Sequence, residues 1–139
     1  MYTAGGATAP KKTESKVLYF TRELPGLEGF HHYFLEPLPD NQFFVLLRSV
    51  EEESVALILV DPFPFFPHYW VELTAEDRLD LKIEYTKSDV LTYTTVAVTA
   101  KKLFTNLAAP LVINAAEKLG KQLILPELSD KLRVPLALK

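Results

Sequence analysis

Short apolar runs recur along the chain and are separated by turn-forming or charged residues. The runs are Lys16 to Phe20, His31 to Leu35, Gln42 to Val50, Ser54 to Val60, Lys82 to Tyr85, Val90 to Thr99, Leu111 to Asn114 and Gln122 to Leu125. They are rich in Val, Ile, Leu, Phe, Tyr and Thr, residues that favour strands. Short strands with turn signals at intervals of about 8–12 residues are typical of an all-β sandwich or barrel.

Two pairs of neighbouring runs predict hairpins. The runs Gln42 to Val50 and Ser54 to Val60 flank Glu51-Glu52-Glu53, which predicts a hairpin with a charged, solvated tip. The last two runs predict a hairpin that closes near Gly120. The unbroken apolar stretch Val55 to Val60 predicts a strand that is buried on both faces.

One short helix is predicted, and both ends of the chain differ in composition from the rest. Thr74 can cap a helix that continues to Arg78 or Leu81, with Asp77 in the reciprocal capping position. Residues 1–15 are small, polar or charged, so we expect a flexible lead-in followed by a single domain over residues 16–139. The tail from Leu128 to Lys139 mixes basic and apolar residues, which suits an edge strand or a docking arm.

The segment from Val60 to Trp70, VDPFPFFPHYW, places five aromatic residues among three prolines. Proline fixes φ and has no N–H, so the segment is predicted to be a stiff, extended connector rather than a helix or central strand. Five exposed rings on one face would exceed the roughly 300–600 Å² apolar patch of a soluble monomer. We therefore expect most rings to pack in the core and one or two to remain for a partner.

Composition narrows the possible functions. The 139 residues, 48% hydrophobic and 24% charged, suit one globular domain. A net charge of −3 argues against a binder of nucleic-acid phosphates. The absence of cysteine excludes disulfides and thiolate ligands. No signal-peptide run or stretch of about 20 apolar residues is present, so we expect a cytoplasmic protein that does not enter a membrane.

Candidates for catalysis or metal binding are few. His31 and His32 are adjacent, so on a strand they would point to opposite faces and could not share one metal ion. Asn106 and Asn114 lie on either side of Pro110, where we expect their amides to bond loop backbone rather than a ligand. No catalytic motif is present, and we predict neither a metal nor a cofactor.

Four motifs together resemble the FliW family of flagellar assembly factors. They are Pro25 to Phe30 (PGLEGF), Val60 to Tyr69 (VDPFPFFPHY), Asn106 to Asn114 (NLAAPLVIN) and Gly120 to Leu125 (GKQLIL). Each motif alone is weakly specific, but the four occur in the family's order at similar separations. The resemblance runs from about Val17 to Leu136.

The resemblance implies a small antiparallel β-barrel-like domain with one short helix and no enzymatic activity. It also implies a partner switch, in which such a protein binds flagellin and also binds the RNA-binding regulator CsrA, relieving its repression of flagellin synthesis. We expect the protein-binding residues to lie in the aromatic segment and near the third motif. They are Asp61, Phe63, Phe65, His68, Tyr69 and Asn106.

The sequence departs from the family's pattern in two places. The family usually has an acidic residue where His68 stands, and the segment before Val17 does not resemble the family start.

Two alternative functions are also consistent with the sequence. One alternative is a barrel that binds single-stranded nucleic acid through stacked aromatic rings. Another is an enzyme with a pocket walled by Phe63, Phe65, Phe66 and Trp70, with polar groups from Asp61 and Asn106.

Overall fold

A closed ring of seven strands dominates the fold. The computed structural model describes residues 16–83 and 89–137. Its strands are β1 (Leu18–Phe20), β2 (His32–Leu38), β3 (Asn41–Ser49), β4 (Ala56–Val60), β5 (Val90–Thr99), β6 (Lys102–Thr105), β7 (Leu111–Asn114), β8 (Leu119–Gln122) and β9 (Val134–Pro135). The order β4-β3-β2-β1-β8-β7-β5 closes because β4 also pairs with β5. The predicted all-β, barrel-like fold with one short helix is confirmed.

One pairing in the ring is parallel, and it joins the first strand to a late one. Tyr19 lies opposite Leu119, and Phe20 lies opposite Gly120. Phe20 is fully buried, and a Cβ atom added at Gly120 would overlap its ring. Position 120 therefore requires glycine because the strand and the ring approach each other closely.

The last hairpin differs from the prediction in its turn. We expected Gln122 to Leu125 as its second strand, closing near Gly120, whereas residues 115–118 form the turn and Gly120 lies within β8. The Oδ1 atom of Asn114 accepts hydrogen bonds from the N–H groups of Ala116 and Glu117, at 3.1 and 3.4 Å. This local bonding starts the turn directly after β7.

Two further strand predictions were wrong in part. The predicted strand from Lys82 to Tyr85 does not begin at Lys82, which has a φ of 56° and ends the helix, or at Ile83; residues 84–88 lie outside the described part. Strand β4 is not buried throughout, since only Leu59 and Val60 are buried. These two residues are also the ones that pair with β5.

Strand β6 was not predicted, and it extends the sheet beyond the barrel. It pairs with the outer half of β5 and, on its other side, with β9. Leu136, directly after β9, is buried with Phe44 and Val60. The tail therefore forms an edge strand, one of its two expected forms.

The predicted helix is present as α1 (Ala75–Leu81). Thr74 accepts from Asp77 N–H at 3.0 Å, and the Asp77 carboxylate accepts from Thr74 N–H at 3.0 Å, so the capping box is complete. The Lys121 ammonium on β8 lies 2.8 Å from Asp77 and 2.6 Å from Asp80. These ion pairs fix the helix against the barrel.

The core has three parts. The barrel interior contains Leu18, Phe20, Leu24, Tyr33, Leu35, Val45, Leu47, Leu59, Tyr93, Leu111 and Ile113. A second cluster lies beneath α1 and contains Val71, Leu81, Val90, Val112, Leu123 and Leu125. The third consists of Phe44, Val60 and Leu136. The expected flexible lead-in, residues 1–15, lies outside the described residues, and the single domain over 16–139 stays a prediction. No helix in the described ranges has the length and apolar character to cross a membrane.

We expect Gly120→Ala to lower the free energy of unfolding by about 1–3 kcal/mol, because the new methyl group overpacks the Phe20 ring. Urea unfolding followed by circular dichroism measures this. Phe20→Leu removes the ring, so the double variant should lose at least about 0.5 kcal/mol less than the sum of the single losses. Additive losses would show that the ring is not the obstacle.

We expect Asp77 to make stability depend on acid. Burial acts to raise its pKa, but hydrogen bonds from Lys121 and Thr74 lower it below the ordinary value of 3.8. A lowered folded pKa means that stability is fully present above the ordinary value and is lost as pH falls through the lowered one. Hydrogen bonds likewise raise the Lys121 pKa against burial, so its contribution is lost only at alkaline pH.

Asp77→Asn should therefore cost about 1–3 kcal/mol at neutral pH and flatten the loss of stability that sets in as pH falls from neutral to about 4 and below. Urea titrations across that range measure both effects. Asp130→Asn removes an exposed carboxylate and is the matched control. An equal flattening in both variants would contradict the role of the Asp77–Lys121 pair.

Candidate functional site

The aromatic segment folds back on itself. The Pro62 carbonyl accepts from Phe65 and Phe66 N–H at 3.1 and 2.9 Å, and the Phe66 carbonyl accepts from Tyr69 N–H at 2.9 Å. The prediction of an extended connector was wrong, because the φ that proline fixes also suits the second position of a β-turn, which Pro67 occupies.

Its rings divide between packing and exposure. Phe65 packs edge-on against Phe43, with ring centres 5.6 Å apart, and Phe63 is tilted against Tyr69 at 5.8 Å. Phe63, Phe65, Phe66 and Tyr69 are half-buried, whereas Trp70 is 62% exposed. The expectation that most rings lie in the core is met only in part, because Phe65, Phe66 and Tyr69 pack against buried clusters but are not buried themselves.

An open groove of about 480 Å³ lies beside this segment. One wall is formed by residues 65–70 and the other by Glu127, Leu128 and Lys131, with Leu107 and Glu72 completing the lining. The second wall follows a 3₁₀ turn over Pro126–Leu128. Exposed aromatic surface beside aliphatic side chains gives the groove an apolar character with a charged border.

Hydrogen bonds tie the two walls together. The Tyr69 hydroxyl donates to the Leu107 carbonyl at 2.8 Å, and burial raises the pKa of this hydroxyl. The N–H of Leu107 donates to the Lys131 carbonyl at 2.9 Å. Three segments distant in sequence are thereby held in fixed relation, so the groove is formed in advance of any partner.

The border of the groove is mainly acidic. Glu72 and Glu127 are exposed, and neither forms an ion pair with another residue in the ranges 16–83 and 89–137. Both also line a neighbouring groove of about 450 Å³ that runs along residues 121–127. Lys131 lies on the same wall as Glu127, with its ammonium 3.8 Å from Asp130.

The structure brings some of the expected site residues together. Phe65, His68 and Tyr69 line the groove, and Phe63 supports Tyr69 from behind. His68 is exposed.

Asp61 and Asn106 do not line the groove, and their side chains instead accept hydrogen bonds from nearby backbone N–H groups. Asp61 is buried and accepts from Phe63 N–H at 3.1 Å. The Asn106 Oδ1 atom accepts from Ala108 N–H at 2.9 Å. Asn114 bonds the turn after β7 in the same way, so the expectation that these asparagines bond loop backbone is confirmed.

Several groove residues were missed by sequence reasoning. Trp70 was expected only as a wall of the enzyme pocket and not as a protein-binding residue, although it belongs to the aromatic segment. Leu128 and Lys131 lie in the tail, and no local pattern signals that they meet the aromatic segment about 60 residues earlier.

The histidine pair lies outside the groove, and its predicted geometry was wrong. His31 precedes β2, so both rings contact Tyr19, with centres 5.8 and 5.2 Å away. Burial acts to raise the pKa of Glu51, but hydrogen bonds from the His32 ring and from His31 and His32 N–H lower it to about 2. Glu51 is exposed, as expected for the hairpin tip, and it also bonds the start of β2.

The described ranges contain no group of three or more His, Cys, Asp or Glu residues that could hold a metal ion. The fold and groove together define a small all-β barrel protein with a preformed apolar groove.

Comparison with known proteins gives the family. The model of the FliW protein family matches residues 7–136. A flagellar assembly factor FliW of Clostridium botulinum is 34% identical over 125 residues, covering 88% of this chain and 87% of the relative. One from Clostridium kluyveri is 33% identical over 125 residues, covering 88% and 86%. The chain therefore belongs to the FliW family.

A solved structure agrees with this assignment. A crystal structure of the flagellar assembly factor FliW superposes with a TM-score of 0.82 at 29% identity, covering 94% of this chain and 92% of that one. The family match begins at residue 7, about ten residues before Val17, so the expected resemblance was drawn too short.

We expect Trp70→Ala and Tyr69→Phe to distinguish an exposed surface residue from one that stabilises the fold. Trp70→Ala should change unfolding free energy by less than about 0.5 kcal/mol because the ring is mostly solvated. Tyr69→Phe should cost about 1 kcal/mol through the lost bond to Leu107. Unfolding is followed by circular dichroism, because Trp70 is the one tryptophan of the chain and its replacement removes the tryptophan fluorescence. Similar losses in both variants would mean that Trp70 is a packing residue.

Proposed function

We propose that this chain is a non-catalytic flagellar assembly factor that binds flagellin and a CsrA-type RNA-binding regulator in the cytoplasm. Binding the regulator relieves repression of flagellin translation, and flagellin competes for the factor, so the protein acts as a partner switch. Membership of a family whose relatives are named flagellar assembly factors supports the coarse role. The open groove beside Trp70 is the observation that carries the binding role.

The groove has the features of a protein-binding surface. Tryptophan and tyrosine are enriched among the residues that dominate binding energy, and a large ring at the edge of a concave apolar site can be covered by a partner. The contact surface consists of Phe65, His68, Tyr69 and Trp70, with Phe63 and Asn106 supporting it and Asp61 ordering the loop beneath. A groove held by hydrogen bonds loses little conformational entropy when a partner binds.

The acidic border of the groove favours a basic partner. Glu72 and Glu127 have exposed carboxylates, and carboxylates steer a basic partner and favour the correct orientation. An RNA-binding regulator carries basic surface. His68, in place of the usual acidic residue, reduces the negative charge at one point of the border.

The two alternatives lose support at particular residues. The enzyme interpretation needs Asp61 and Asn106 as polar groups in a pocket, but neither residue lines the groove. The interpretation as a binder of single-stranded nucleic acid could use Trp70 for stacking, but Glu72 and Glu127 would repel phosphates beside it. We therefore propose no catalysis, no cofactor and no direct contact with nucleic acid.

Titration calorimetry with flagellin and with the CsrA-type regulator of the same organism tests this proposal. We expect both to bind the wild-type protein, and Trp70→Ala to weaken at least one of them by about 30-fold, equivalent to about 2 kcal/mol. Leu79→Ala, which truncates an exposed apolar residue of α1 outside the groove, should bind as the wild type does.

The possible failures are distinct. If neither partner binds the wild-type protein, the proposed function is wrong. If both bind Trp70→Ala as tightly as wild type, the function stands and the groove is not the site.

A further inference from the structure

The outer half of β5 leaves the barrel and forms a small sheet with β6 and β9. Val96 to Thr99 pair with β6, and Phe104 and Thr105 pair with β9. We call residues 96–105 and 133–135 the arm. Ala97, Val98 and Thr99 are all exposed, although successive residues of a strand point to opposite faces. Neither face of this part of the strand is covered, so the tip of the arm projects from the barrel.

The arm is basic within an acidic protein. It contains Lys101, Lys102 and Arg133 and no aspartate or glutamate, whereas the whole chain has a net charge of −3. Within the described ranges, none of these three cations forms an ion pair with a carboxylate. The Arg133 guanidinium instead lies 4.0 Å above the centre of the Phe104 ring.

The tip has an unusual backbone conformation at Ala100 and Lys101. Ala100 and Lys101 form a two-residue turn with φ of 51° and 68°, the arrangement of a type I′ turn. Glycine and asparagine take this conformation at least cost, and neither is present here. A non-glycine residue held at positive φ often marks a functional surface. The turn places Lys101 and Lys102 at the outermost point of the arm.

We propose that the arm is a docking surface for an acidic polypeptide segment, separate from the groove beside Trp70. Unpaired lysines would meet carboxylates of the segment, and Val98, which is 59% exposed, would contact its aliphatic side chains. Nucleic acid fits less well, because Arg133 covers the single ring of the arm and leaves none for base stacking. This proposal goes beyond the proposed function and does not depend on flagellin or CsrA.

Binding of a labelled peptide of six Glu-Val repeats to the full chain at low ionic strength, measured by fluorescence anisotropy, tests the proposal. We expect binding that weakens with added salt, since exposed charge pairs are screened. K101E/K102E should weaken it by about tenfold or more, and the milder K101Q/K102Q by about threefold. Thermal unfolding confirms that each variant is folded.

The matched control is K82E/K118E. Lys82 and Lys118 are exposed lysines with φ of 56° and 60°, so this variant makes the same charge change away from the arm. We expect it, and also Trp70→Ala, to bind the peptide within about twofold of wild type. The Trp70 result shows whether arm and groove are independent, so failure of one proposal is distinguishable from failure of the other.

Three results would overturn the proposal. Equal loss in K101E/K102E and K82E/K118E would assign the effect to net charge alone. No binding of the Glu-Val peptide up to about 1 mM would remove the docking surface. Tighter binding of a twelve-nucleotide oligothymidine than of the peptide would identify nucleic acid as the occupant.

Discussion

The contact between the Phe20 ring and the backbone of Gly120 is the constraint on which the closed barrel depends. Strand β1 has three residues, so its backbone hydrogen bonds alone give the parallel pairing with β8 little strength. Burial of the ring supplies the stabilisation, at about 25 cal/mol per Å² of apolar surface. About 100 residues separate the two strands, and their pairing must offset the entropy of closing that long loop.

The geometry of the groove depends on the closure of the barrel by β1 and β8. Once β8 is held by β1, the chain after it bonds to the Pro110 and Ala108 carbonyls and then enters the 3₁₀ turn, whose Leu128 forms part of the second wall. The Tyr69 hydroxyl then fixes the first wall to Leu107. The barrel is therefore the scaffold, and the site consists of loops that it holds at defined distances, a common arrangement in binding proteins.

The sequence reveals the local parts of this structure better than the contacts between them. The hairpin of β3 and β4 and the capped helix α1 were predicted, because apolar runs and the Thr74–Asp77 box act within a few residues. Strand β6 was missed because its turn, Ala100-Lys101, lacks the Asn-Gly signal of a two-residue hairpin. Gly120 was predicted to lie in a turn, because the Phe20 ring that requires a glycine there is 100 positions away in the sequence. In the site, His68 and Tyr69 belong to a conspicuous local motif, whereas Leu128 and Lys131 reach the groove through tertiary folding alone.

The solitary tryptophan at the edge of the groove gives the protein an intrinsic optical signal. Trp70 is the one indole in the chain, and its ring is largely in water. Its fluorescence emission therefore arises from a single, solvated position rather than from a mixture of sites. Any molecule that covers the ring transfers it to a less polar environment, which moves the emission to shorter wavelength. Occupancy of the groove can thus be read from the unlabelled protein, while an event confined to the arm leaves the spectrum unchanged.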